Sequence, residues 1–422
     1  MKYLCALSSL LAVSSAVAVP EVRPLVKGYD GYKVYRVAVK NQVAKVAKVI
    51  EDLGLETWKA PKAPGAMADI VVPPSKVAEF STAMAGMDVT TMHENLAASI
   101  QDETFSTYAA GSANATWFNS YHAYADHLQF LRDLQSTYPT RSAIVTSGTS
   151  SQGRPITGLH FWGSSGKGVK PAIVFHSNVH AREWITSMTN EFIAYNLITN
   201  YDTNAEIKSF IDKYDFYIFP VVNPDGFVYT QTNERLWRKN RQANSGSSCI
   251  GRDINRNWNY QWAVTGGAST SPCAEDYKGA AASDAPETTA LATFLRNVKA
   301  AQGLKLFIDW HSYSQLFMTP YGYSCTAKAP RNTELQSLAA GAAAAIRAVY
   351  GTTFKYGPIC STIYKATGSS VDYVNDVAKA DYVFTAELRD TGASGFVLPA
   401  SQIVPSGTET YAGVRYLLLN MK

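Results

Sequence analysis

The stretch PAIVFHSNVHAREWITSMTNEFIAYNLI, from Pro171 to Ile198, joins an apolar run to a longer amphipathic one. PAIVF is typical of a buried strand, and SMTNEFIAYNLI has the apolar spacing of a helix. His180, Arg182 and Glu183 lie between them, and strand-to-helix junctions often carry functional sites. The His-x-x-Glu spacing suggests a metal ligand pair. The alternative is a buried histidine satisfied by its neighbours, with Glu183 in a salt bridge at the start of a helix.

Similar apolar runs recur along the chain from about residue 113. Val, Ile and Phe without polar alternation indicate strands that are buried on both faces. We therefore predict an α/β fold with a mixed, mostly parallel twisted sheet and helices on both faces. In such sheets ligands bind beyond the carboxyl ends of the strands, where His180, Asn223, His311 and Glu387 lie. The predicted strands are SAIVTSGTS and PITGLHFW (a hairpin), PAIVFHSNV, FYIFPVVNPDGF, LKLFIDWHSY and YVFTAEL.

Residues 31–90 predict a separate small α+β unit, a β-α-β-α open sandwich. YKVYRVAV and ADIVVP have strand character, whereas VAKVAKVIEDLG predicts a helix ending at Gly54 and SKVAEFSTAM a helix opened by Ser75. A linker, HENLAASIQDETFSTYAAGSANATW, follows.

The first 18 residues have the pattern of a secretory signal peptide, with cleavage expected after Ala18. No later run is apolar for long enough to span a bilayer, so we expect a secreted, extracellular protein with no membrane association. Residues 1–112 carry 11 basic and 11 acidic side chains, so the net charge of +4 belongs entirely to residues 113–422. That excess is too small to indicate nucleic-acid binding. Nothing in the sequence indicates an oligomer, and we expect a monomer.

Removal of the signal peptide, with Cys5, leaves Cys249, Cys273, Cys325 and Cys360. An even number of cysteines in an exported chain indicates two disulfides, and spacing alone allows three pairings. The absence of a Cys-x-x-Cys motif argues against a cysteine zinc site.

His311 is the one histidine that follows His180, and it too comes directly after a predicted strand. Two histidines and a glutamate form a zinc triad that leaves a coordination position free, as in catalytic sites. Asp253 is a candidate to accept a hydrogen bond from one ligand histidine. The residues thus favour a catalytic zinc site on His180, Glu183 and His311.

From about Trp117 to the C-terminus, the sequence resembles the zinc carboxypeptidases of the A/B family, and the preceding unit resembles their inhibitory propeptide. The resemblance implies that residues 19–112 form the propeptide and linker and that residues 113–422 form the catalytic domain. The motifs that carry it, in order, are HAREWIT, NPDGF, RLWRKNR, GRDINRNW, DWHSYSQ, TIYKATG, AELRDTG and GFVLPASQI.

The resemblance implies a role for each polar group at the sheet edge. One Zn²⁺ on the triad would lower the pKa of a bound water and act as a Lewis acid. Glu387 would be the general base and proton shuttle, although pairing with Arg389 is the structural alternative. Arg238 would steady the carbonyl and its oxyanion. Asn255, Arg256 and Tyr364 would bind the terminal carboxylate, and Arg182, Arg235, Tyr313 and Phe396 would line the outer cleft.

Specificity would depend on the pocket for the last side chain. Val371 lies where an aspartate would select Lys or Arg, and Ile359 and Thr385 add no charge. We therefore expect the enzyme to remove aromatic and large aliphatic residues from peptide and protein C-termini. Ser369 departs from the glycine that is common in the family, which leaves the size preference open.

The resemblance also implies the disulfides Cys249–Cys273 and Cys325–Cys360, and activation by a protease. No Lys or Arg lies between Lys76 and Arg132, so the cut is expected in STYAAGSANAT rather than after a basic residue. That stretch contains the glycosylation sequon Asn114-Ala-Thr.

Three rival functions stay open. A non-catalytic peptide-binding relative would lack a ligand or the base, and neither is missing. A nucleophilic hydrolase would need an elbow motif such as Gly-x-Ser-x-Gly, which is absent. A B-type carboxypeptidase for basic ends is opposed by Val371.

Overall fold

The computed structural model describes residues 28–103, 105–111 and 113–422. The signal peptide predicted at residues 1–18 lies outside these residues. We refer to residues 28–103 as the amino-terminal unit and to residues 113–422 as the carboxyl-terminal domain. Across the described residues, no helix is both long enough and apolar enough to cross a membrane.

The amino-terminal unit is built on a four-stranded antiparallel sheet with helices packed against it. Its elements are β1 (Lys33–Ala38), α1 (Val43–Leu53), β2 (Glu56–Lys59), β3 (Met67–Val72), a 3₁₀ turn (Pro74–Lys76), α2 (Val77–Ala83), β4 (Val89–His93) and α3 (Leu96–Gln101). The strand order is β2-β3-β1-β4.

The α+β class of this unit is confirmed, and two of its strands were not predicted. Helix α1 ends as expected at Gly54, whose φ of 60° is the left-handed conformation that glycine adopts readily. Strand β2 has only four residues, and β4 (VTTMH) is mostly polar, so neither shows a clear period. Helix α3, in the stretch predicted as linker, is capped by Asn95, whose side chain accepts from the Ala97 amide at 3.1 Å.

The carboxyl-terminal domain contains one eight-stranded sheet with helices between the strands. Its strands are β5 (Ser142–Thr149), β6 (Pro155–Phe161), β7 (Ala172–Ser177), β8 (Asp215–Phe219), β9 (Leu304–His311), β10 (Leu316–Thr319), β11 (Lys355–Pro358) and β12 (Tyr382–Glu387). Its helices are α4 (Tyr124–Thr137), α5 (Trp184–Thr199), α6 (Ala205–Lys213), α7 (Pro224–Thr232), α8 (Pro286–Gln302), α9 (Asn332–Tyr350), α10 (Ile359–Thr362), α11 (Ser370–Asp376) and α12 (Ile403–Asn420), with 3₁₀ turns at Ala115–Asn119, Ile254–Arg256 and Ala400–Gln402.

The strand order is β11-β10-β12-β9-β7-β8-β6-β5, and its centre is parallel. Strands β8, β7, β9 and β12 run parallel to one another, and β10 and β11 also pair in parallel, whereas the pairs β5–β6, β6–β8 and β10–β12 are antiparallel. Alternate residues of β7 enter different cores: Ile173 and Phe175 pack with α5 and α12, whereas Ala172 and Val174 pack with α8 and α11. The predicted mixed sheet with helices on both faces is therefore confirmed.

The stretch FYIFPVVNPDGF, predicted as a single strand, is divided. Strand β8 ends at Phe219, and α7 begins at Pro224. Asn223 caps α7 by accepting from the Gly226 amide at 3.1 Å, and proline is favoured in the first helical turn. The polar NPDG segment thus starts a helix instead of extending the sheet.

The cysteines pair as the family resemblance implies. Cys249 is bonded to Cys273 and Cys325 to Cys360, across sequence separations of 24 and 35. Cross-links that close loops of this length stabilise the fold by about 3.5 kcal/mol each in the chain-entropy description.

Candidate metal centre and substrate cleft

Three buried side chains meet at the edge where β7 and β9 end. His180 Nδ1 lies 2.8 Å from Glu183 Oε1, and His311 Nδ1 lies 3.2 Å from Glu183 Oε2. The ligand atoms of His180, Glu183 and His311 all lie within 4.8 Å of one another. Two imidazoles and one carboxylate facing a common point are the donor set of a catalytic zinc site. The residues therefore fit the predicted ion.

The far nitrogens of both histidines face buried carboxylates. His180 Nε2 lies 3.1 Å from Asp253 Oδ1, the partner predicted from the sequence. His311 Nε2 lies 3.3 Å from Asp309 Oδ2, which the sequence reasoning missed. Such carboxylates fix the tautomer and orientation of a ligand imidazole, so the near nitrogens are held toward the metal position.

Glu387 ends β12, directly beside His311 in the parallel register with β9. Burial raises the pKa of the Glu387 carboxyl above its usual range; the charge of Glu183 adds to the shift and His311 opposes it. The structural alternative is not supported, since Arg389 pairs with Glu409 and donates to Gln402 at 2.7 Å.

Arg238, Asn255 and Arg256 gather around Asp253. Arg238 Nη2 donates to Asp253 Oδ2 at 2.8 Å, and the backbone N–H of Asn255 donates to Asp253 Oδ1 at 2.8 Å. Arg256 is buried, and its Nε has no hydrogen-bond partner among the described residues. One carboxylate thus orients a group of donors beside the metal centre, which suits the binding of an anion.

The residues predicted for the terminal side-chain pocket are buried close together. Val371 and Ile359 share an apolar cluster with Leu316 and Met318. Thr385 lies opposite Met318 in the pairing of β10 with β12, and its hydroxyl donates to the Asp309 carbonyl at 2.8 Å. Ser369 caps α11, accepting from the Asp372 amide at 3.3 Å, which explains a hydroxyl at this position.

The amino-terminal unit covers the outer cleft. Trp58 packs edge-on against Phe396 at a centroid distance of 5.5 Å and against Tyr313 at 6.4 Å. Its ring also lies over Gly395, and a Cβ added to this glycine would come within 2.7 Å of the Trp58 ring. The guanidinium of Arg182 stacks on Phe396 at 4.3 Å. The unit therefore occupies the surface that the predicted cleft residues would offer to a peptide.

Arg235, predicted to line the outer cleft, is fully buried in this structure. Its guanidinium forms a two-pronged ion pair with Glu103, at 2.7 and 2.5 Å, and both side chains are fully buried. It also donates to the carbonyls of Arg182 (2.9 Å) and Phe396 (3.0 Å) and stacks on Trp184. Its predicted role in substrate binding stays a prediction, and it applies to the activated enzyme, from which the amino-terminal unit with Glu103 has been removed.

Comparison with known proteins assigns the chain to a family. The zinc carboxypeptidase profile matches residues 127–413, and the carboxypeptidase activation peptide profile matches residues 35–103. Metallocarboxypeptidase A of Trichophyton rubrum is 51% identical over 415 residues, covering 98% of each chain. Carboxypeptidase A4 of Mus musculus is 37% identical over 403 residues, covering 93% of this chain and 94% of the relative.

Solved structures agree with these matches. The crystal structure of thrombin activatable fibrinolysis inhibitor superposes with a TM-score of 0.84 at 28% identity, covering 92% of this chain and 98% of the other. Carboxypeptidase A from Helicoverpa armigera gives a TM-score of 0.78 at 27% identity, covering 92% and 97%. The chain belongs to the zinc carboxypeptidase family. Because it also carries the activation peptide, it is the zymogen of a metallocarboxypeptidase that acts on the C-termini of peptides.

Proposed function

We propose that this zymogen is secreted and that its active form removes aromatic and large aliphatic residues from peptide C-termini. The observation that carries the proposed specificity is Val371, which is 1% exposed in an apolar cluster with Ile359, Leu316 and Met318. Burial of an apolar side chain in a pocket of this composition stabilises the complex by about 25 cal/mol for each Å² of apolar surface removed from water. A Lys or Arg end would lose hydration there, and Val371, Ile359 and Thr385, the residues predicted to line the pocket, offer it no carboxylate.

His180, Glu183 and His311 would hold one Zn²⁺, which supplies Lewis-acid chemistry and lowers the pKa of water when bound. Asp253 and Asp309 keep the two imidazoles oriented through their far nitrogens. Glu387, beside His311, would take the proton from the attacking water and pass it to the leaving amine.

Arg256, Asn255 and Tyr364 would hold the terminal carboxylate of the substrate. The proposal is supported by the Nε of Arg256, which has no acceptor in the part of the chain that the structure describes, because such a buried guanidinium nitrogen favours an incoming anion. Arg238 would donate to the oxygen that becomes negative as the carbonyl is attacked. Its bond to Asp253 fixes it before the substrate arrives, which is how such donors lower the barrier.

Latency would follow from the amino-terminal unit lying over Tyr313, Phe396 and Arg182. We expect release after a cut between residues 104 and 116. Residues 109–111 and 114–116 are exposed, whereas Phe105 is buried and Tyr108 donates to Asp133 at 2.8 Å. A protease would therefore reach the second half of the linker more easily than the first.

The test is hydrolysis of blocked dipeptides ending in Phe, Leu or Arg by the proteolytically activated protein, together with its zinc content. We expect one zinc per chain, turnover of the Phe and Leu substrates, little turnover of Arg, and loss of activity with a chelator. Preferred hydrolysis of the Arg substrate would establish the B-type alternative. A zinc-loaded protein that binds the Phe substrate without cutting it would support the peptide-binding alternative.

A further inference from the structure

A cavity of about 400 Å³ is lined by Tyr364, whose ring centre lies 5.9 Å from the guanidinium of Arg256. Its other walls are the segment 266–269, Asp276 and Lys365, and it also contacts Lys62 of the amino-terminal unit. None of the roles assigned to the zinc centre, the carboxylate donors or the terminal pocket uses Asp276. The cavity therefore shares Tyr364 with the groups proposed to bind the last residue of a substrate and adds Asp276, which none of them uses.

The ammonium of Lys62 is bound at this cavity by two groups of the carboxyl-terminal domain. Lys62 Nζ lies 3.2 Å from Asp276 Oδ2 and 4.5 Å from the centre of the Tyr364 ring. An aromatic face and a carboxylate together are a recognised way of holding a cation. The amino-terminal unit thus demonstrates in cis what the cavity can bind.

The neighbouring charged groups leave Asp276 available for a cation. Glu275 pairs with Arg182 at 3.4 Å. Lys365 donates to the Thr265 carbonyl at 2.8 Å, and Lys278 lies over the ring of Trp262 at 4.2 Å. Loss of the amino-terminal unit removes Lys62 and leaves Asp276 beside the open cavity.

We propose that this cavity is a substrate subsite for a Lys or Arg side chain located before the bond that is cut. This inference rests on the proposed function and adds to it: the terminal residue is apolar, and a basic residue upstream increases the rate. Tyr364 connects the two preferences, since one of its faces meets the cation while its predicted role is at the terminal carboxylate.

The test compares peptides that end in Phe and carry Lys or Gln at the first, second or third position before the scissile bond. The enzyme is prepared by proteolysis of the full-length chain. Exposed ion pairs and cation–π contacts are each modest, so we expect kcat/KM to be roughly fivefold higher for Lys at one of these positions. Asp276→Asn should remove that preference and leave the rate on the Gln peptide unchanged.

Asp202→Asn is the matched control, because Asp202 also holds a basic side chain, Arg141 at 2.8 Å, on the surface. This variant should keep the Lys preference. The affinities of the Lys and Gln peptides for the activated enzyme, measured after its metal has been removed, test the same preference without turnover. Absence of a Lys preference at all three positions in both assays, or a preference that survives Asp276→Asn, would overturn the subsite. Failure to hydrolyse the Gln peptide would instead count against the proposed function.

Discussion

Replacement of Glu103 by alanine is expected to release the amino-terminal unit from the cut zymogen. Glu103 is the last residue of that unit, and its pair with Arg235 is fully buried on both sides. Breaking a buried ion pair by removing one partner costs about 3–5 kcal/mol.

The lower end of this range applies here, for two reasons. Arg235 keeps the carbonyls of Arg182 and Phe396 as acceptors. Burial also raises the pKa of the Glu103 carboxyl despite the attraction of Arg235. Desolvation therefore already offsets part of the stabilisation that the ion pair provides. A loss of about 3 kcal/mol corresponds to roughly a 100-fold weaker association of the cut unit.

The assay follows dipeptide hydrolysis after cleavage of the linker, with size-exclusion chromatography to detect the free amino-terminal unit. The uncut Glu103→Ala zymogen should stay latent, because the intact chain keeps the unit at a high effective concentration. Glu94→Gln is the control, since Glu94 is 73% exposed and pairs with Lys33 inside the unit. A dissociation constant within about threefold of the wild type for cut Glu103→Ala would show that the pair does not hold the unit in place, because that difference is under 1 kcal/mol.

The other expectations concern catalysis, specificity, pH and activation. Glu387→Gln should retain zinc and lower kcat by about 10²–10⁴-fold; a variant with more than about a tenth of wild-type kcat would exclude Glu387 as the base. Val371→Asp should shift the preference from Phe toward Lys or Arg ends, and an unaltered ranking in the dipeptide assay would place Val371 outside the pocket. Burial and the carboxylates of Glu56 and Glu275 raise the pKa of Glu234 to about 7. The docked state therefore favours protonated Glu234. Association of the amino-terminal unit is strongest below the usual pKa of glutamate and weakens as the pH rises through 7. The cut unit should dissociate roughly threefold faster at pH 8 than at pH 5.5, and Glu56→Gln should reduce this ratio; an unchanged ratio would contradict the assignment. Trypsin should activate the zymogen poorly, whereas a subtilisin- or thermolysin-type protease should cut between residues 104 and 116. Amino-terminal sequencing decides this, and an active enzyme that starts immediately after Lys76 or Arg132 would be contrary evidence.

The grouping of His180, Glu183 and His311 was predictable because its signals are local. His180 and Glu183 are three positions apart at the end of one strand, and His311 ends another strand of the same parallel group. The carboxyl ends of parallel strands share one edge of a sheet, so strand periodicity was enough to bring the three together. Asp309 had a usable signal as well, because residues two positions apart in a strand point to the same face.

The contacts between the two units had no such signal. Glu103 and Arg235 are 132 positions apart, and Trp58 meets Gly395 and Phe396 across more than half of the chain. Neither pairing follows from periodicity or from a short motif. Arg235 also lies in a basic stretch, which on its own favours a solvated loop, whereas the structure buries it completely.

The amino-terminal unit holds the loop that follows Glu387 as well as covering the cleft. Arg36 donates to the Thr391 carbonyl, and a ring nitrogen of His93 lies 3.1 Å from the Ser394 carbonyl. Lys59 donates to the Ser314 hydroxyl at 2.7 Å, and the Ser314 backbone amide donates to the carbonyl of Leu388, the residue after Glu387, at 3.1 Å. Because this loop joins the proposed base to Phe396, the same contacts restrain a catalytic group and a cleft aromatic together. Inhibition through these contacts would need no imitation of a peptide C-terminus, since they restrain the segments around Glu387 and Phe396 from outside the predicted terminal pocket.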